Sequence, residues 1–72
     1  MITARILDAT RYPEGIMLRV DTIPSFCFHH IKIADTVYCA SICPDLGKRL
    51  SINAPFPADY FCRHNIAEFI VD

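Results

Sequence analysis

The most regular alternation of apolar and polar positions lies over residues 16–23. Ile16, Leu18 and Val20 fall on one side, with Met17, Arg19 and Asp21 on the other. A period of two marks a strand with one buried face, so this row predicts a β-strand whose core side is Ile16, Leu18 and Val20. Residues 2–11 are also β-leaning, with Ile2, Ala4 and Ile6 opposed to Thr3, Arg5 and Leu7. Between these segments stands Tyr12-Pro13-Glu14-Gly15, a turn in which proline pre-sets φ and glycine tolerates positive φ. The two strands are expected to form a hairpin, with a loop longer than two residues.

Pro24-Ser25 interrupts the pattern, and residues 26–34 read as a third strand. Its predicted faces are Phe26, Phe28, His30 and Lys32 against Cys27, His29, Ile31 and Ile33. Residues 36–43 suit either a short helix capped by Asp35 or a strand, and Val37, Tyr38 and Ile42 favour the strand. Pro44 opening DLGKRL predicts a single helical turn. Asn53–Pro57 is an extended connection, because a residue before proline is pushed out of the helical region. The end of the chain divides into a short helix near 57–64 and a closing strand near 66–71. These elements predict a single compact domain over 1–72: a small α+β fold, with a β-rich antiparallel sheet or partly closed barrel and one short helix.

Composition narrows the function classes. The chain has 72 residues, 53% of them hydrophobic and 21% charged, and a mean hydropathy of +0.28. Domains of this size bury only about 60% of their unfolded surface, so such a composition predicts an apolar face for a partner or a second copy. Seven basic and eight acidic residues leave a net charge of −1, spread evenly between the halves. That balance gives no electrostatic attraction toward nucleic acid. Phe26, Phe28, His29, His30 and Lys32 interleave aromatic and basic character, the pattern of a base-stacking strand, but they lack a basic surface around them. No apolar run is long enough to cross a membrane, and charged residues populate the first twenty positions, so the expected location is cytoplasmic.

Four cysteines and three histidines fall into Cys27-x-His29-His30, Cys39-x3-Cys43 and Cys62-x-His64. The expectation is buried, reduced thiols without a cofactor, because each cysteine has apolar neighbours and a reducing compartment disfavours disulfides. Zinc is the alternative, with Cys27, Cys39, Cys43 and Cys62 as its ligands, although no C-x2-C pair is present. Cys62 with His64, or Cys27 with His29, places a nucleophile near a base. On a strand, however, such pairs stand about 6–7 Å apart at the backbone, and neither pair comes with a pocket signal. Gly15 and Gly47 stand alone, so no phosphate-cradling loop exists.

The reading that remains is a non-enzymatic protein-binding module. Its size and character match the small inhibitors that phages and mobile elements direct at host factors or defence systems, an analogy without a motif. The alternative is a small zinc-stabilised or single-strand nucleic-acid-binding accessory domain. Partner-binding candidates are Tyr12, Glu14, Phe28, His30, Lys32, Phe56 and Tyr60, with Arg11, Arg19, Arg49 and Arg63 as rim contacts. A protein partner is expected, with either self-association or an exposed apolar docking face, and a nucleic-acid partner or membrane association is not.

Overall fold

The computed structural model of the protein describes residues 2–43 and 47–72. It contains β1 (Ile2–Tyr12), β2 (Gly15–Val20), β3 (Phe28–Ile33), β4 (Thr36–Ile42), β5 (Arg49–Ile52), α1 (Ala58–Arg63) and β6 (Ile66–Val71). The strands close into a barrel in the order β1-β2-β5-β4-β3-β6, with every neighbouring pair antiparallel. Closure removes the free sheet edges that a partly closed barrel would carry. With one six-residue helix against six strands, the architecture is a β-barrel, and the α+β label fits it only loosely.

The strand order makes two connections cross the barrel. β2 and β3 lie on opposite sides of the ring, as do β5 and β6. Residues 21–27 therefore span one end, and residues 53–65, which contain α1, span the other. Strand directions place the β1–β2 and β3–β4 turns at this second, helix end. The start of β1 and the end of β6 lie at the first, terminal end. Phe61 of α1 is fully buried and meets Tyr38 edge-on, with ring centroids 6.0 Å apart. The helix is too short to be stable alone and holds its shape by this packing.

Ile16, Leu18 and Val20 are all buried, as their alternation predicts, and Leu50 and Ile52 of β5 lie opposite Leu18 and Ile16. The predicted helical turn at 44–50 is corrected at its end. Arg49 and Leu50 belong to β5, whose buried Leu50 and Ile52 alternate with half-buried Arg49 and Ser51; Pro44–Leu46 lie outside the described residues. Residues 36–43 resolve as the strand, and 66–71 as the closing one.

The first hairpin loop is tighter than expected. Tyr12 pairs with Gly15, leaving Pro13-Glu14 as a two-residue turn. Glycine is required there because a Cβ at position 15 would sit 2.5 Å from the Ile52 carbonyl oxygen. The β3–β4 turn is formed by Ala34 and Asp35 at φ 49° and 67°, the positive pair that two-residue hairpins prefer. Asp35 is thus a turn residue rather than a helix cap.

Two bulges reset the faces. In β1 the pairing with β2 steps from Ile6↔Val20 to Asp8↔Arg19, so Leu7 and Asp8 are both exposed while Ile6 is buried. In β3 the pairing with β6 steps from Phe28↔Val71 to His30↔Ile70, so His29 and His30 are both exposed. An extra residue in one strand breaks strict alternation. Phe28 consequently joins Ile31 and Ile33 in the core, against the predicted grouping with His30 and Lys32.

Candidate interaction surface at the helix end

Tyr12, Glu14, Phe56 and Tyr60 all belong to elements at the helix end. Tyr12 closes β1 at 41% exposure, and Glu14 is exposed in the turn beside it. Across this end run residues 53–57, which bend at Pro55 and Phe56 where an extended connection was expected. Arg11 holds that segment: its guanidinium donates to the Ala54 carbonyl at 2.7 Å and to the Phe56 carbonyl. Arg11, expected as a rim contact for a partner, is engaged within its own chain.

The held segment delivers Phe56 to α1. Phe56 stacks on Tyr60 with centroids 4.2 Å apart and planes 15° from parallel, and Tyr60 meets His64 at 4.4 Å. Tyr60 and His64 lie one helical turn apart, the His64 amide donating to the Tyr60 carbonyl at 2.9 Å, whereas Phe56 precedes the helix and reaches Tyr60 from the connecting segment. Tyr60 also abuts buried Phe61 edge-on at 5.1 Å, which ties the ladder to the core. Phe56 and Tyr60 are half-buried and His64 is exposed. Alongside them Arg63 and Asp59 form a solvated pair at 3.9 Å. His64 was missed as part of this surface. Its position four residues after Tyr60 was the available signal, obscured by its nearness to Cys62.

The other candidates lie elsewhere. Phe28 is only 7% exposed and packs against Phe69 at 4.8 Å, so it is removed from the partner-binding set. His30 and Lys32 stand on the outer wall of β3. Lys32 lies opposite Glu68 and 3.9 Å from Asp35. The His29 ring nitrogen Nδ1 meets the Asp72 carboxylate, and the Asp72 amide donates to the Cys27 carbonyl at 3.4 Å, fastening the end of β6 to the start of β3.

The cysteines form no disulfide among the described residues, and the burial expected of them is corrected. Cys27, Cys39 and Cys62 are exposed and Cys43 is half-buried. Cys27 lies at the terminal end and Cys62 on α1 at the opposite end, so these four side chains do not share one ion in this fold. Among the described residues, no three His, Cys, Asp or Glu side chains gather to hold a metal. Cys62 and His64 sit on a helix and its C-terminal cap, which corrects the strand geometry used to pair them.

One buried polar atom stands out. The Tyr38 hydroxyl is out of contact with solvent and has no hydrogen-bond partner among the described residues. Burial pushes this phenol above its ordinary value of 10.0; the Thr36 side chain opposes the shift without satisfying the hydroxyl, and Tyr60 adds to it. Among the described residues, no helix is long and apolar enough to cross a membrane. Compared with protein families, curated proteins and solved structures, the chain matches none of them.

Proposed function

We propose that the chain is a non-enzymatic protein-binding module that acts by covering a surface of its partner with the helix end of the barrel. The observation that carries this reading is the Phe56–Tyr60–His64 ladder, held from below by Phe61 and from the side by Arg11. Aromatic side chains with restricted freedom make efficient binding anchors, because little rotamer entropy remains to be lost on association. Tyr12 and Glu14 extend the same end with an exposed aromatic and a charge.

A standard interface takes about 800 Å² from each partner, roughly a sixth of the 4477 Å² surface here. Such an agent blocks by shape and needs no reaction chemistry, which suits a small inhibitor of a host protein or nucleoprotein complex working in the cytoplasm.

The test is affinity capture from host lysate with the wild-type chain and a Phe56→Ala/Tyr60→Ala variant, whose fold is checked by circular dichroism. One stoichiometric protein captured by the wild type and lost by about 30-fold or more in the variant is the expected result, the scale of a hot-spot residue. Equal capture by both chains overturns the reading. Recovery of nuclease-sensitive material would transfer the ladder to base stacking instead.

A further inference from the structure

We infer that His30 and Cys39 are half of a tetrahedral zinc site that a second copy of this chain completes. The two residues are direct partners across β3 and β4, and both side chains are exposed on the outer wall. Directly opposed residues hold their Cβ atoms about 4.5–5.5 Å apart. That separation suits an imidazole nitrogen and a thiolate meeting one ion at about 2.0–2.1 and 2.3 Å.

The β3 bulge leaves His29 and His30 both exposed; Asp72 engages His29, while His30 has no hydrogen-bond or ion-pair partner among the described residues. Strict alternation from buried Ile31 and Ile33 already exposes His30, and the bulge adds His29 to the same outer face. A structural zinc requires four ligands, and among the described residues no third donor joins this pair. A two-fold axis through the ion supplies the missing His30 and Cys39 from the second copy, as isologous contacts do.

The surrounding wall suits such a contact. Ile70 lies opposite His30 on β6, and Val37, two residues from Cys39, is 52% exposed. Lys32 and Glu68 are neighbours on this wall, so a two-fold contact can set each charge against its opposite in the other copy. On binding, each Cys39 thiol gives its proton to solvent, two protons per zinc, and His30 binds as the neutral ring. Zinc therefore joins two barrels through their walls and leaves both helix ends open. The inference does not depend on what those ends bind.

The experiment is sedimentation velocity of the full chain in a non-chelating reductant, with metal analysis, as zinc is added and then removed by a chelator. The expected result is a dimer holding one zinc per two chains, reverting to monomer on chelation. Cys39→Ser and His30→Ala should each abolish the zinc-dependent dimer, and Cys62→Ser should retain it. Cobalt in place of zinc should give the thiolate charge-transfer band in the wild type and not in Cys39→Ser. A monomer at every zinc concentration, one zinc bound per single chain, or a dimer that survives Cys39→Ser would each overturn the inference.

Discussion

Leu18 and Arg19 are neighbours in β2 and face opposite environments. Leu18 is fully buried opposite Leu50, whereas Arg19 lies on the outer wall between Asp8 and Arg49. Leu18→Ala removes packed atoms from a filled barrel and should cost roughly 2–5 kcal/mol. Small domains have total stabilities near the low end of about 5–15 kcal/mol, so much of the population should unfold. Arg19→Ala should change stability by less than about 0.5 kcal/mol. Urea denaturation of the two variants checks the contrast, and the reverse order would mean that the β2 register is wrong. Tyr38 gives a second residue-level expectation. Its folded pKa is raised, so the unfolded chain ionises first; its contribution is fully present below about pH 10 and is lost as pH rises through the folded value. Tyr38→Phe should remove that alkaline component. At neutral pH it should leave stability unchanged or raise it by up to about 1 kcal/mol, since it deletes a buried hydroxyl without a partner. Urea midpoints measured between about pH 8 and 11 would show both effects.

At the scale of elements, local chemistry and tertiary constraint are easiest to separate in the turns. Pro13-Glu14-Gly15 was readable because proline and glycine each impose a backbone preference. The β3–β4 turn was not, because Ala34 is a poor residue for positive φ and gives no turn signal. Strand pairing on both sides holds it there. Replacing Ala34 with asparagine, which tolerates the left-handed region, should stabilise the fold by roughly 0.5–1 kcal/mol. Thermal melting of Ala34→Asn against wild type measures this; a lower melting temperature would contradict the assigned turn. β5 shows the same competition. Arg49-Leu50-Ser51-Ile52 carries a legible alternation, yet Pro44 and its polar followers suggested a helical start. Pairing with β2 on one side and β4 on the other decides the strand.

For the whole molecule, surface area tests the argument from composition. A folded monomer of 8.2 kDa is expected to expose about 4,500 Å², and this barrel exposes 4477 Å². The high apolar content therefore fills an ordinary core and leaves the remainder outside. Ile2, Ile42 and Val71 lie at the terminal end with exposures of 40%, 48% and 64%, and Val37 stands on the wall. The metal-free chain should consequently bind an apolar-surface dye. Addition of zinc should lower that signal as Val37 and Ile70 become covered. A strictly monomeric protein that leaves the dye unbound under both conditions would count against an apolar contact face.

By itself the sequence determined the β-rich class, the first hairpin, the buried row Ile16, Leu18 and Val20, the short helix and the closing strand. Each rests on periodicity or backbone chemistry contained within a few residues. Tertiary structure decided the rest. Barrel closure depends on β1 meeting β6 from opposite ends of the chain, a pairing that no local pattern encodes. The bulge in β3 moved Phe28 inward and His29 outward, and the one in β1 left Leu7 and Asp8 both outside, because an unpaired residue can be located only against the partner strand. The crossing connections then brought Tyr12, Phe56, Tyr60 and His64 to one end and separated Cys27 from Cys62. Which side chains share a surface was settled by strand order.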